Sequence, residues 1–273
     1  MPTQAEKSAA FRALHDAPGA FVIANAWDAG SARVLGALGF PALATSSGAA
    51  AGVLGRRDGR ISRAEALAHA AAIAAATDLP VSADLEGGFG DAPADAAATI
   101  AAAARAGLVG GSIEDATGDP ARPLYGLDQA VARIAAAVAA ARAAPMPFLL
   151  TARAENFLRG NPDLDDTIRR LRAFQAAGAD VLMAPGLPDL AAVRAVTAAL
   201  DRPFNFMAGI KGKTPSVAAL AEAGVKRISL ATSLWRASMS GLVAAAREVA
   251  EHGTFGYLDT TLPTPAMNAY LAE

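Results

Sequence analysis

Short apolar runs and longer alanine-rich stretches of helical character alternate along the whole chain. Apolar runs at 21–24, 41–44, 79–84, 110–113, 148–151, 181–183, 203–206 and 227–230 are of strand length and nearly continuous. Between them lie helical patterns at 29–38, 62–77, 91–107, 127–144, 165–177, 189–199, 216–223 and 234–252, with one more at 3–16 ahead of the first strand. Local punctuation agrees. Ser62-Arg63-Ala64-Glu65 is a capping box, Asp91 with Pro93 reads as a helix start, and Gly39, Gly107, Gly178 and Gly224 stand where helices should stop. The stretch after Gly48 reads as a long loop carrying Arg56-Arg57-Asp58-Gly59-Arg60, and 253–273 shows no core pattern of its own.

Eight strand–helix units with short connections imply a parallel sheet covered by helices. The predicted fold is α/β, a closed (β/α)8 TIM-type barrel spanning 1–273 as one domain, with an extra N-terminal helix and a C-terminal extension. An open doubly wound sheet is the alternative. The lack of a glycine-rich dinucleotide fingerprint after the first strand counts against it.

Composition narrows the function classes. With 273 residues, a net charge of -2 and 53% hydrophobic residues, the chain can bury a large core and has no basic patch suited to nucleic acid. Charged residues interrupt the alanine-rich stretches before they reach membrane-spanning length, and 1–16 does not resemble a signal peptide, so a cytoplasmic protein is expected. Cysteine is absent, which excludes disulfides, thiolate metal sites and a thiol acid or base. His15, His69 and His252 lie far apart in helical contexts and read as surface or packing residues rather than zinc ligands.

In a barrel, chemistry sits where strands end. Those ends carry Asn25, Ser46 and Ser47, Asp84 and Glu86, Glu114, Arg153 and Glu155, and Asn205. Asp84 and Glu86 are two residues apart, on one side of an extended chain, and Gly87, Gly88 and Gly90 keep the space above them clear. Like charges so close raise one another's pKa unless they share a cation. A hard divalent ion with oxygen ligands, Mg²⁺ first and Mn²⁺ second, is the economical reading; solvated acids beside a flexible loop are the alternative.

Asn25-Ala26-Trp27-Asp28-Ala29-Gly30-Ser31-Ala32, Thr45-Ser46-Ser47, Asp84-Leu85-Glu86-Gly87-Gly88-Phe89-Gly90, Ser112-Ile113-Glu114-Asp115 and Thr151-Ala152-Arg153 together resemble the isocitrate lyase/phosphoenolpyruvate mutase superfamily, in order from about 20 to 235. The resemblance implies a Mg²⁺-binding barrel that handles an α-keto acid or its enolate. It also implies a homo-oligomer, tetramer or dimer, with the C-terminal segment exchanged between subunits. By the same resemblance, Asp84 holds the metal, directly or through water, while Glu86 and Glu114 bind its waters. Ser46, Ser47 and Gly48 hold a substrate carboxylate, Arg153 binds that carboxylate or the enolate oxygen, Asp58 lies near the reacting group, and Asn205 lines the pocket. An ion pair of Arg153 with Glu155 or Glu114, a solvated turn at Asp58, a turn or cap at Ser46 and an ordinary strand end at Asn205 are the structural alternatives.

The departures bear on the reaction. The superfamily's carbon–carbon lyases carry a Lys-x-Cys-Gly-His loop after the strand that ends at Glu114, and its mutases and phosphonopyruvate hydrolases carry a lysine and an asparagine there. Here the loop is Thr117-Gly118-Asp119-Pro120-Ala121-Arg122-Pro123-Leu124-Tyr125. Arg122 or Tyr125 is the candidate substitute, and Tyr125 needs a lowered pKa to act as a base. The leading expectation is a Mg²⁺-dependent lyase for a small 2-oxo or 2-hydroxy (di)carboxylate, acting through an enolate. The alternatives are carbon–phosphorus chemistry on a phosphonopyruvate-like compound, with Arg56, Arg57, Arg60, Lys211 and Lys213 as candidate cations, or a catalytically inert keto-acid-binding protein.

Overall fold

The computed structural model describes residues 1–271. Eight parallel strands close into a barrel in sequence order: β1 Phe21–Asn25, β2 Leu43–Ala44, β3 Val81–Asp84, β4 Gly110–Glu114, β5 Leu149–Arg153, β6 Val181–Met183, β7 Phe204–Met207 and β8 Arg227–Ser229. β1 pairs with β8 and shuts the ring. The predicted closed (β/α)8 barrel is therefore the fold, and no open edge is left for the doubly wound alternative.

The helices follow as α1 Gln4–Asp16, α2 Ala29–Ala37, α3 Ser47–Val53, α4 Arg63–Ala75, α5 Pro93–Arg105, α6 Leu127–Arg142, α7 Leu164–Ala176, α8 Leu190–Ala198, α9 Val217–Glu222, α10 Ser233–His252 and α11 Thr264–Tyr270. Most starts are chemically marked. Ser62 and Glu65 close the expected capping box of α4, and Asp28, Asp163, Asp189 and Ser216 each accept a backbone N–H at the start of their helices. The core lies between strands and helices. Leu43, Leu85, Ile113, Leu150, Leu182 and Phe204 bury their side chains there against Ile73, Ile100, Ile134 and Phe174. Among the described residues no helix is long and apolar enough to cross a membrane.

α1 closes the N-terminal end of the barrel. Phe11 is fully buried in a small cluster with Ile23, Ala42, Ala44, Val109 and Leu149. Lys226 Nζ is tied to the carbonyls of Ala17 and Gly19, fixing the turn between α1 and β1. At the other end of the chain α10 has no buried residue, and Leu242 and Val243 on it stay exposed. Beyond it, Glu248 gathers the N–H groups of Gly256 and Tyr257 and so turns the chain back, and α11 reaches α2.

Two local readings need correction, and the C-terminal segment, which buries no residue in its two short elements, gains detail. The supposed loop after Gly48 begins with α3, a short helix whose alanines Ala49, Ala50 and Ala51 are buried. Its glycines obscure it in the sequence, yet packing requires them: a Cβ on Gly48 would lie 2.9 Å from Thr232 and 3.2 Å from Asp58, and one on Gly52 would enter the Trp235 ring. Asp91 does not cap α5. The N-cap is Ala92, whose N–H is taken by Asp95 one turn ahead. The segment after 253 also contains a 3₁₀ turn at Gly256–Thr260 and α11.

Candidate active site

The strand ends open into a cavity of about 850 Å³ at the C-terminal mouth of the barrel. Ser46, Ser47, Asp58, Asp84, Glu86, Glu114, Arg153 and Asn205 all line it. Gly48 does not. It lies behind the wall, where its missing side chain lets Asp58 and Thr232 come close.

Arg153 is the centre of the arrangement. The β4–β5 register sets Glu114 beside it, and Glu155 follows two residues later. Its guanidinium lies 2.9 Å from Asp84 Oδ1, 3.0 Å from Glu114 Oε2 and 2.9 Å from Glu155 Oε1. The expected ion pairs with Glu114 and Glu155 are thus both present, and Asp84 joins them. Arg159, which the strand-end reading misses, adds a second cation: it lies 2.9 Å from Glu114 Oε1 and 3.8 Å from Glu155 Oε2. The short turn after β5 brings it back, and its spacing of four from Glu155 is the one signal the sequence offers for it.

Acids are crowded here. Asp84, Glu114 and Glu155 share Arg153 and Arg159, and among the described residues Glu86 pairs with neither. Burial, then repulsion from Asp84, Asp58 and Glu114, pushes Glu86 up to about 7. Glu114 also rises to about 7, first because it is buried, with the Arg153 charge opposing and Glu155 adding to the rise. Burial works against the ionised form of Asp84 as well, but the Arg153 charge and the Ser47 N–H, 3.1 Å from Oδ2, hold its pKa below the ordinary value. Asp84 is therefore the fixed carboxylate of the set.

Glu86 is held differently. Its backbone has φ +50, a left-handed conformation that few side-chain-bearing residues adopt. Its N–H points to Asp84 Oδ1 at 3.3 Å, and its carbonyl accepts from the Glu114 N–H at 3.0 Å. The turn locks Glu86 between two acids while its Oε1 is buried without a hydrogen-bond partner. An orphaned carboxylate oxygen is costly unless a cation or a donor reaches it.

This donor set fits a divalent cation. The crowded acids, two of them pushed up to about 7, favour a cation among them, and the orphaned Glu86 oxygen needs a positive partner. Among the described residues no three acids or histidines converge closely enough to form a direct coordination shell. The arrangement suits an ion held directly at one acid, with the others receiving its waters.

A second buried network supports the first. Asp115, next to Glu114, accepts from the Glu155 N–H at 2.8 Å and pairs with Arg170 at 3.0 Å. Burial raises its pKa to about 6 despite these partners. Arg170 also reaches Asp166 and the Tyr125 carbonyl, so α7 anchors both ends of the loop after β4. Asn25 has a comparable structural role: its amide donates to the Thr45 carbonyl at 2.6 Å and its oxygen accepts from Leu230 N–H at 2.8 Å, tying β1 to its neighbours.

Several candidates take on a different role in three dimensions. Tyr125 donates its hydroxyl to Asp91 Oδ1 at 2.6 Å, and burial, then that bond, raises its pKa to about 12. The lowered pKa that a tyrosine base requires is absent. Asp91 is thus the acceptor that holds this phenol, not a helix cap. Arg122 is largely exposed, with Asp119 as its nearest acid at 3.9 Å, and it does not line the cavity. Asn205 is fully buried between Arg227 and Ser229, which use both ends of its amide. Of the candidate phosphonate partners, Arg60 lines the cavity, Arg56 is paired with Glu65 at 2.8 Å, and Lys213 lines a separate pocket of about 340 Å³. His69 Nε2 donates to the Trp27 carbonyl and His15 Nδ1 to the Phe11 carbonyl, as packing residues do.

Residues 11–250 match the phosphoenolpyruvate phosphomutase family. A crystal structure from Burkholderia cenocepacia J2315, provisionally described as a lyase/mutase, is 52% identical with a TM-score of 0.96, covering 99% of this chain and 97% of that one. A 2,3-dimethylmalate lyase, a PEP mutase/isocitrate lyase superfamily member, superposes with a TM-score of 0.87 at 27% identity, covering 100% of this chain and 96% of its own. An oxaloacetate decarboxylase of Ectopseudomonas mendocina (strain ymp) is 32% identical over 206 residues, 73% of this chain and 69% of the relative. With a match that takes in the whole barrel, the chain belongs to the phosphoenolpyruvate phosphomutase family, among the enzymes of the isocitrate lyase/PEP mutase superfamily.

Proposed function

We propose that this protein is a Mg²⁺-dependent carbon–carbon lyase for a small 2-oxo or 2-hydroxy dicarboxylate, working through an enolate by C–C cleavage or decarboxylation. The observation that carries this reading is the acid cluster at the mouth: Asp84, Glu114 and Glu155 share Arg153 and Arg159, crowding and burial push Glu86 and Glu114 up to about 7, and a buried Glu86 oxygen has no partner.

Asp84 would hold the ion, Mg²⁺ or Mn²⁺, and Glu86 and Glu114 would accept from its waters. Bound there, the ion supplies Lewis acidity to the substrate's oxygens. The rest falls to the chain. Arg153, whose three nitrogens already face Asp84, Glu114 and Glu155, would offer its charge and a remaining Nη1 N–H to a carboxylate or to the oxygen that becomes negative. Ser46, whose hydroxyl makes no capping bond, and the Ser47 side chain would hold the second carboxylate, while the Ser47 N–H stays on Asp84 and Gly48 lies behind the wall. Asp58, beside Gly48 at the cavity wall, faces the reacting group. Asn205 shapes the floor instead of touching substrate. Decarboxylation needs the least additional machinery, because stabilising the enolate is most of the work. Of the candidate phosphonate partners, Arg56 is taken by Glu65, Lys213 lines a separate pocket and Arg60 alone lines the cavity, so the carbon–phosphorus alternative has less support.

Calorimetric titration with oxalate, an enolpyruvate mimic, tests the proposal. Binding that requires Mg²⁺ and disappears in Asp84→Ala is expected. No binding by the wild-type protein in either condition would overturn it. Turnover of a 2-oxo dicarboxylate then separates an enzyme from a binding protein.

A further inference from the structure

Below the acidic cluster the barrel interior is polar, and at its floor stands a cation that the chemistry above does not use. Arg227 is 5% exposed and lines the deep end of the cavity. Its Nε donates to Asn205 Oδ1 at 2.8 Å, its Nη2 donates to Thr151 Oγ1 at 2.8 Å, and its Nη1 lies 3.4 Å from His15 Nε2. These partners are all neutral. Because His15 Nδ1 lies 2.8 Å from the Phe11 carbonyl and donates to it, Nε2 is left as the acceptor. A guanidinium has five N–H groups, so two find no protein acceptor among the described residues.

A buried charge without an opposite charge is strongly disfavoured. No carboxylate lies within ion-pair distance of Arg227 among the described residues. The acids of the cavity mouth are already engaged: Asp84 by Arg153 and the Ser47 N–H, Glu114 and Glu155 by Arg153 and Arg159. The surroundings are positive as well: burial first, and then Arg227, Lys226 and Arg12, drive the His15 pKa down to about 3. Small residues leave room inside the cavity. Ala44, Ser82 and Ser229 line it, Asn205 links Ser229 to the Arg227 guanidinium, and among the described residues neither the Ser82 hydroxyl nor the Ser229 hydroxyl proton has a protein acceptor.

We infer that the floor of the barrel is an anion site, in which Arg227, with hydroxyl donors such as Ser82 and Ser229, holds a small anion one layer below Arg153. The chemistry fits a halide or a single carboxylate group. The anion is either a solvent ion or the far end of a bound substrate. The site stands apart from the metal-binding acids and does not depend on the reaction proposed above.

Bromide is the probe. Crystals of the full chain soaked in bromide should show an anomalous peak in contact with Arg227, and that peak should be missing from Arg227→Met. A wild-type peak that survives addition of oxalate supports a solvent anion, and one that oxalate displaces supports a substrate carboxylate. Peaks confined to the protein surface, or a floor peak retained in Arg227→Met, overturn the inference. Should Arg227→Met fail to fold, the wild-type crystals still decide, since absence of a floor peak there is sufficient to overturn it.

Discussion

Arg153 Nη1 stands 2.9 Å from Asp84 Oδ1, and this contact joins β5 to β3 above the β4 strand that lies between them. One guanidinium thereby sets the positions of carboxylates from two other strands. Removing it leaves Asp84, Glu114 and Glu155 facing one another without their main counter-charge.

Arg153→Met should therefore lose both stability and function. Removing one partner of a buried ion pair costs about 3–5 kcal/mol, and loss of a fixed donor to developing charge lowers turnover about 100-fold or more. Arg153→Lys restores the charge without the fork and should recover stability more than turnover. Urea unfolding and steady-state kinetics on the same preparations separate the two effects.

Tyr125→Phe removes the hydroxyl bonded to Asp91. A hydrogen bond to a charged group is worth about 1.5–3 kcal/mol, so global stability should fall by roughly that much. Hydrogen exchange in 116–126 should accelerate, because the bond ties this loop to the one after β3. Since the phenol is held protonated, with its pKa raised to about 12, the pH profile of turnover should not shift. A shifted profile would restore tyrosine as a base.

His15 provides a stability prediction at the opposite end of the barrel. Burial, followed by Arg227, lowers its pKa to about 3 from an ordinary 6.5. The unfolded chain then binds a proton between these values while the folded chain does not, so stability falls as pH drops below about 6.5. At pH 5 the loss is about 2 kcal/mol. His15→Gln keeps an acceptor for Arg227 and should flatten this part of the Tm-against-pH curve. An unchanged slope would place the sensitivity elsewhere.

α10 leads to the prediction on assembly. A twenty-residue helix with no buried residue and with exposed Leu242 and Val243 is unusual for an element that should cover a barrel. We propose that it packs on a second copy of the chain in a homotetramer or homodimer, with the C-terminal segment exchanged. Sedimentation velocity should give an oligomer, and Leu242→Glu combined with Val243→Glu should shift it toward monomer. A monomeric wild-type protein would contradict this reading.

How much of this can be read in the sequence depends on the range of the interactions involved. Parallel strands buried on both sides produce apolar runs that end abruptly at polar groups, so Asp84, Glu114 and Arg153 stand out as strand ends from the sequence alone. Capping residues such as Ser62 act within one turn and are equally plain. The α3 helix is hidden because Gly48 and Gly52 answer to distant partners, Thr232 and Trp235, at a cost in local propensity. Asp91 looks like a cap because its partner, Tyr125, is 34 positions away. Arg159 and Arg227 carry little local signature: one depends on a tight turn after β5 and the other on the closure of β8 against β7.

The loop after β4 has a further implication. A lone bridge between Ala116 and Leu124 pinches its base, and the Tyr125 N–H reaches the Asp115 carbonyl at 2.9 Å beneath it. Asp115 is itself fixed by Arg170. What lies beyond the pinch makes few demands on the barrel, and what lies below it keeps the acids in place. Descendants of such a scaffold can rewrite the loop wholesale, exchanging one set of reactive groups for another, without refolding the platform. Innovation and robustness are thereby assigned to different sides of a single pair of residues.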